Sequence, residues 1–204
     1  MRTSDTARQT VSVRRAVAFG CAIALAAGFV YAQSKGDPSR GEGRSAACGR
    51  CHGTPEQALP PGMPSLAGQP EQFLVLQMFL MREGLRDVPQ MAGTMNDLSD
   101  RDLEDIAAHY SRQAIPRSNA KPDPQLHARG AGLAKAMGCA SCHLGFKGQK
   151  HLPRLANQRE DYLVASMKAY RDNKRVGPDT SMNGMMYQAT DGDIEALAHY
   201  LAHQ

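Results

Sequence analysis

The pentapeptide CGRCH at 48–52 returns as CASCH at 139–143, 91 residues later, and its surroundings return with it. PSLAGQPEQFL (64–74) resembles PRLANQREDYL (153–163) at an offset of 89. LSDRDLEDIAAHY (98–110) resembles ATDGDIEALAHYL (189–201) at an offset of 91 again, so two-residue insertions fall in loops. Self-similarity of this kind means two copies of one structural unit. Such a chain is not free to build one arbitrary core; it must build a small core twice. Between the copies, AIPRSNAKPDPQ (114–125) holds three prolines among polar residues and has no apolar period, which predicts an extended linker. The expected division is a first domain over 33–113 and a second over 126–204.

Each copy reads as helical. Leu103, Ile106, Ala107 and Tyr110 fall at i, i+3, i+4 and i+7 behind a capping pattern of Ser99 and Asp102. Ile194, Leu197, Ala198 and Leu201 repeat this behind Thr190 and Asp193. EQFLVLQMFLMRE (71–83) is apolar nearly all round, which predicts a largely buried helix. A short helix is expected before each cysteine pair, with glycines where another helix can approach closely. No stretch alternates persuasively with period two, so the expected fold class is all-α.

Several uses of a Cys-x-x-Cys pair compete. A thioredoxin-type dithiol needs a βαβ setting, which is absent. A four-cysteine zinc site usually joins two such pairs about 15 to 20 residues apart; here 87 residues intervene. A structural disulfide explains neither the adjacent histidine nor the repetition. Covalent c-type haem explains both, since two thiols add to the vinyl groups and the neighbouring imidazole binds iron. Cys48, Cys51 and His52 are thus assigned to one haem, and Cys139, Cys142 and His143 to a second. Haem also suits the size: each half runs to roughly 85 residues, with few aromatics and no Trp, and its core is thin without a porphyrin.

Methionine is the usual second axial ligand where a high potential is needed. Eleven methionines are available, and most are expected as packing, because the flexible thioether fills irregular gaps. Repeat symmetry removes Met63, whose counterpart is Leu152. It leaves Met78 with Met167, Met91 with Met182, and Met95 with Met186. The first pair lies inside the apolar helix, where packing is the better account. Met91 and Met182 each follow their histidine by 39 residues, in irregular segments able to fold over an open haem face. Met95 and Met186 share those segments and could pack against the ring edge. His109, His127, His151, His199 and His203 are expected at the surface or in packing. Of these, His199 and His203 are placed on the exposed end of the last helix and His151 in a lysine-rich loop.

The N-terminus reads as a secretory signal over 1–32. Arg2, Arg8, Arg14 and Arg15 stand against Asp5, AVAFGCAIALAAGFV (16–30) is apolar, and small residues precede a cut expected after Ala32. The apolar run has 15 residues, short of the about 20 a bilayer span needs; an uncleaved anchor is the alternative. Without this segment the formal charge falls from +4 to +1. The basic balance therefore belongs to the signal and gives no support to nucleic-acid binding, which needs a clustered basic surface. Residues 33–118 carry a net −2 and residues 119–204 a net +3, an asymmetry that orients encounters with a partner.

The order CxxCH, then PSLAGQ or PRLANQ, then a methionine-bearing segment, then LSDRDLEDIAAHY resembles the di-haem cytochrome c4 family over about 39–202. In that family the axial methionine stands seven residues before the leucine that opens LSD. Counting back from Leu98 reaches Met91, and counting back from the equivalent Ala189 reaches Met182. The resemblance implies two class I cytochrome c folds packed face to face, electron exchange between two covalent haems, and the iron ligand pairs His52–Met91 and His143–Met182. Ala189 in place of the usual leucine, and His109 where the family often has tyrosine, remove no ligand. No nucleophile–base pair, phosphate loop or further metal cluster is recognisable, and two His/Met irons keep no open position. An electron carrier is therefore expected instead of an enzyme. It is expected in the periplasm, between a quinol-oxidising complex or dehydrogenase and a terminal oxidase or reductase, and peripheral membrane association is compatible with that role. The rivals are a haem subunit held permanently by a flavin or quinoprotein dehydrogenase, and a di-haem peroxidase, which needs an open or switchable iron.

Overall fold

Each copy opens on an aspartate followed by a proline. Asp37 and Asp123 accept backbone N–H groups of the first turn, and Pro38 and Pro124 occupy the first helical positions, where a missing N–H costs nothing. The structure is a computed structural model that describes residues 36–53 and 59–204. The expected signal over 1–32, with Cys21, lies outside the described residues. In the first copy the chain forms α1 (Pro38–Arg44), α2 (Ala46–His52), α3 (Glu71–Arg82), a 3-10 turn (Pro89–Met91) and α4 (Asp100–Ser111). The second copy forms α5 (Pro124–Ala136), α6 (Cys139–Cys142), α7 (Glu160–Arg171), α8 (Ser181–Met186) and α9 (Asp191–Ala202). Among the described residues no strand forms, and one isolated antiparallel bridge joins Gln149 to Leu152. The fold class is all-α, as expected.

The first and last helices of each copy cross at small residues. A Cβ on Gly41 of α1 would stand 1.9 Å from the Asp105 carbonyl oxygen of α4, and one on Gly130 of α5 would stand 2.0 Å from the Ala196 oxygen of α9. Both capping boxes form, Ser99 with Asp102 and Thr190 with Asp193, so α4 and α9 start where the sequence starts them. The apolar stripes of these helices face α3 and α7 and build two separate, equivalent cores. Leu74, Met78, Leu103, Ile106 and Ala107 of the first correspond to Leu163, Met167, Ile194, Leu197 and Ala198 of the second.

Three expectations change. The segment 71–83 is not largely buried: in α3 only Leu74 and Met78 are, and Phe79 is exposed. A helix that packs on one neighbour hides one stripe, whatever the other faces carry. The helix α5 begins at Pro124, inside the segment read as linker, because Asp123 caps it. His199 is buried, not exposed, because the linker's end covers it. Its Nε2 accepts the Asp123 N–H at 2.9 Å and its Nδ1 meets Glu160 Oε2 at 3.1 Å. These two contacts tie the last helix to the linker and to α7. His203 is half-buried against the His199 carbonyl, and His151 is exposed.

The two copies meet along a hydrogen-bonded seam. Gln158 clasps the backbone of Ser65, receiving its N–H at 2.8 Å and donating to its carbonyl at 2.9 Å. Gln69 does the same to Arg154, at 2.9 and 3.0 Å. Both glutamines are buried, so these bonds face no competition from water. At the rim, Gly62 N–H donates to Asp161 Oδ2 at 2.7 Å and Arg159 donates to the Leu59 oxygen at 2.8 Å.

Candidate functional site

Each CxxCH lies on or at the end of a short helix, which brings its two thiols and its imidazole to one region. In the first copy α2 contains Cys48, Cys51 and His52; in the second α6 contains Cys139 and Cys142 and His143 caps it. Cys48 and Cys139 are half-buried and Cys51 and Cys142 are exposed. Burial pushes the Cys48 and Cys139 thiols above the usual range, the reverse of what a redox-active dithiol needs.

The imidazoles are oriented identically. His52 Nδ1 lies 3.0 Å from the Pro64 carbonyl oxygen and His143 Nδ1 lies 2.9 Å from the Pro153 oxygen. A carbonyl oxygen only accepts, so Nδ1 carries the proton and Nε2 keeps its lone pair. Burial lowers both imidazole pKa values against the weaker opposing pull of the carbonyl, which favours the neutral, ligating form. A ring held this way by its second nitrogen is the usual support of a metal-binding histidine.

The three methionine pairs separate by burial. Met78 and Met167 lie in the cores, as do Met95 and Met186. Met91 and Met182 are half-buried at the edge of the same clusters that Cys48 and Cys139 join. Neither lies in an irregular loop: Met91 ends the 3-10 turn and Met182 sits in α8. Thr94 Oγ1 donates to the Met91 carbonyl at 2.7 Å. Next to Met182, the buried Asn183 side chain donates to the carbonyls of Tyr170 and Arg175, each at 2.9 Å, and so ties α8 to the end of α7. The residues present fit a c-type haem in both copies: two thiols and a neutral imidazole nitrogen on or at the end of one short helix, and a thioether on the apolar cluster that the first cysteine of the pair joins.

Sequence reasoning missed the supports. The Pro64 and Pro153 carbonyls, Gln69, Gln158 and Asn183 carry no metal-binding chemistry themselves. Repetition was the available signal for all but Asn183, because P-x-L-A-x-Q stands in both copies.

A family model described as Cytochrome c matches residues 127–204. Cytochrome c4 of Pseudomonas aeruginosa is 33% identical over 183 residues, spanning 83% of this chain and 90% of that protein. The chain belongs to the cytochrome c4 family. The crystal structure of reduced recombinant cytochrome c4 from Pseudomonas stutzeri matches with a TM-score of 0.75 at 32% identity, over 82% of this chain and 98% of that one. A protein of Thiomonas intermedia described as a thiosulfate dehydrogenase electron acceptor is 32% identical, over 78% of this chain and 79% of its own. As a member of the cytochrome c4 family the chain carries covalently bound c-type haem, and the pairs Cys48/Cys51 and Cys139/Cys142 fit the attachment motifs. Cytochromes c4 are electron-transfer proteins. Among the described residues no helix is long and apolar enough to cross a membrane.

Proposed function

We propose that this protein is a periplasmic di-haem electron carrier and not an enzyme. Its two cytochrome c domains, 33–113 and 123–204, are joined by the linker 114–122 and follow a signal over 1–32. His52 with Met91, and His143 with Met182, are the axial ligands. When bound, each haem supplies reversible one-electron chemistry at iron. The protein's residues do the rest. Cys48, Cys51, Cys139 and Cys142 tether the rings. The Pro64 and Pro153 carbonyls hold each imidazole with Nε2 free, and the 3-10 turn and α8 present the thioethers. The glutamine seam keeps the two domains at one spacing, as repeated transfer between them requires. What carries the reading is that both copies build the same site, each with its His–Pro carbonyl bond and its half-buried methionine.

Donors are quinol-oxidising complexes or dehydrogenases, and acceptors are terminal oxidases or reductases. The likeness to a thiosulfate dehydrogenase electron acceptor favours a second reading, in which a dehydrogenase holds this chain as its haem subunit. Co-purification with a catalytic partner separates the two.

Absorption spectra of the purified protein in both redox states test the ligand set. The oxidised form is expected to show the weak far-red band of an iron–methionine bond, and Met91→Leu or Met182→Leu each to remove about half of it. A full band after either change refutes that methionine, and a high-spin spectrum in the parent protein points to peroxidase chemistry.

A further inference from the structure

The two glutamine clasps of the seam hold unlike side chains. Ser65 and Arg154 hold equivalent positions, and a glutamine of the other copy clasps each backbone through the same two hydrogen bonds. The clasp asks nothing of the side chain, since a serine serves in one copy. Arg154 is nevertheless only 2% exposed. Its guanidinium donates to the Ala156 oxygen of its own copy and, at 2.9 Å, to the Ala67 oxygen of the other. Its Nε has no partner among the described residues. Burial alone acts on its pKa and pulls it down to about 10, which leaves the group a cation at neutral pH, and no described carboxylate offsets the charge.

Burying a cation with no protein carboxylate beside it is expensive, and an apolar side chain of similar volume usually serves packing better. The place of the charge is informative. Arg154 follows Pro153, whose carbonyl holds His143 at 2.9 Å. Its guanidinium reaches Ala67, three residues beyond Pro64, whose carbonyl holds His52 at 3.0 Å. We propose that Arg154 is a fixed buried cation set between the two His–Pro supports, and that its charge raises the reduction potential of both haems. Oxidation adds a positive charge at each iron, and a like charge in a low-dielectric seam opposes that step with little screening by salt. Arginine suits the task because it stays protonated where a buried lysine readily loses its proton. The inference rests on the carrier reading above but not on the methionine assignments.

Spectroelectrochemical titration of the haem-loaded full chain tests it. Arg154→Met removes the charge and keeps volume; both midpoint potentials are expected to shift downward, by similar amounts in dilute and concentrated salt. Arg154→Lys, titrated at mildly acidic pH where the amine keeps its proton, restores the charge without the guanidinium's hydrogen bonds. It is expected to hold both potentials near the parent values. Unchanged potentials in Arg154→Met overturn the proposal. An equal fall in Arg154→Lys also overturns it and leaves the residue a packing role. Should Arg154→Met fail to take up haem, Arg154→Gln is read in the same way. The far-red band of the parent protein reports the ligand set separately, so failure of one reading is distinguishable from failure of the other.

Discussion

Asp105 is the residue on which the first copy's opening and closing helices meet. It is 2% exposed, receives Arg40 Nε at 2.7 Å and the Asp37 N–H at 2.6 Å, and has Arg101 at 3.4 Å. The Arg40 hydrogen bond is the main cause holding its carboxyl below the usual carboxylate range, and the Asp37 N–H and the arginine charges add to it against burial. A carboxyl that titrates lower folded than unfolded contributes fully above the unfolded value, about pH 4. The contribution is lost as pH falls through the folded value. Asp105→Asn keeps the shape and removes the charge. It is expected to lower stability at pH 7 by about 1.5–3 kcal/mol, the range for hydrogen bonds to a charged group. Denaturant unfolding followed downward from pH 7 checks this, because the gap between parent and variant closes below about pH 4. The second copy has Ala196 at the equivalent position, so its crossing depends on packing without this ion pair.

At the scale of the element, contact between helices depends on absent side chains. Gly41→Ala drives a methyl into the Asp105 carbonyl and Gly130→Ala drives one into the Ala196 carbonyl. Neither helix can relax without opening its core, so each change is expected to cost about 1–3 kcal/mol or more. The same helices contain their own controls. Gly43 and Gly132 have nothing within 4 Å of a built Cβ. Gly43→Ala and Gly132→Ala are expected to be neutral or to gain up to about 1 kcal/mol, since alanine has less backbone freedom to lose. Thermal unfolding of the four variants checks the contrast; four equal shifts would remove the close-crossing argument.

At the scale of the whole molecule, coupling runs through Gln69 and Gln158. Truncating either leaves a buried N–H and a buried carbonyl unpaired in the other copy, at about 1–3 kcal/mol per group. Because each core is complete within its own copy, the loss falls on the seam. The double variant Gln69→Ala with Gln158→Ala is expected to unfold in two calorimetric steps where the parent unfolds in one. A single step in both proteins would show that other contacts couple the copies.

Much of this was legible in the residues themselves. The repeat, the capping boxes, the helical stripes and the haem-attaching CxxCH pairs are local patterns, and local patterns survive in a linear string because sequence neighbours are also spatial neighbours. The tertiary structure decided what depends on distance across the chain. It buried one stripe of α3, covered His199 with the linker's end and put Met95 and Met186 into the cores. It also joined Pro64 to His52 and Pro153 to His143, and set Gln69 and Gln158 into the opposite copy's backbone. Those contacts join positions 10 to 93 residues apart. No periodicity encodes them, because burial and hydrogen-bond pairing over such separations follow from how the helices pack.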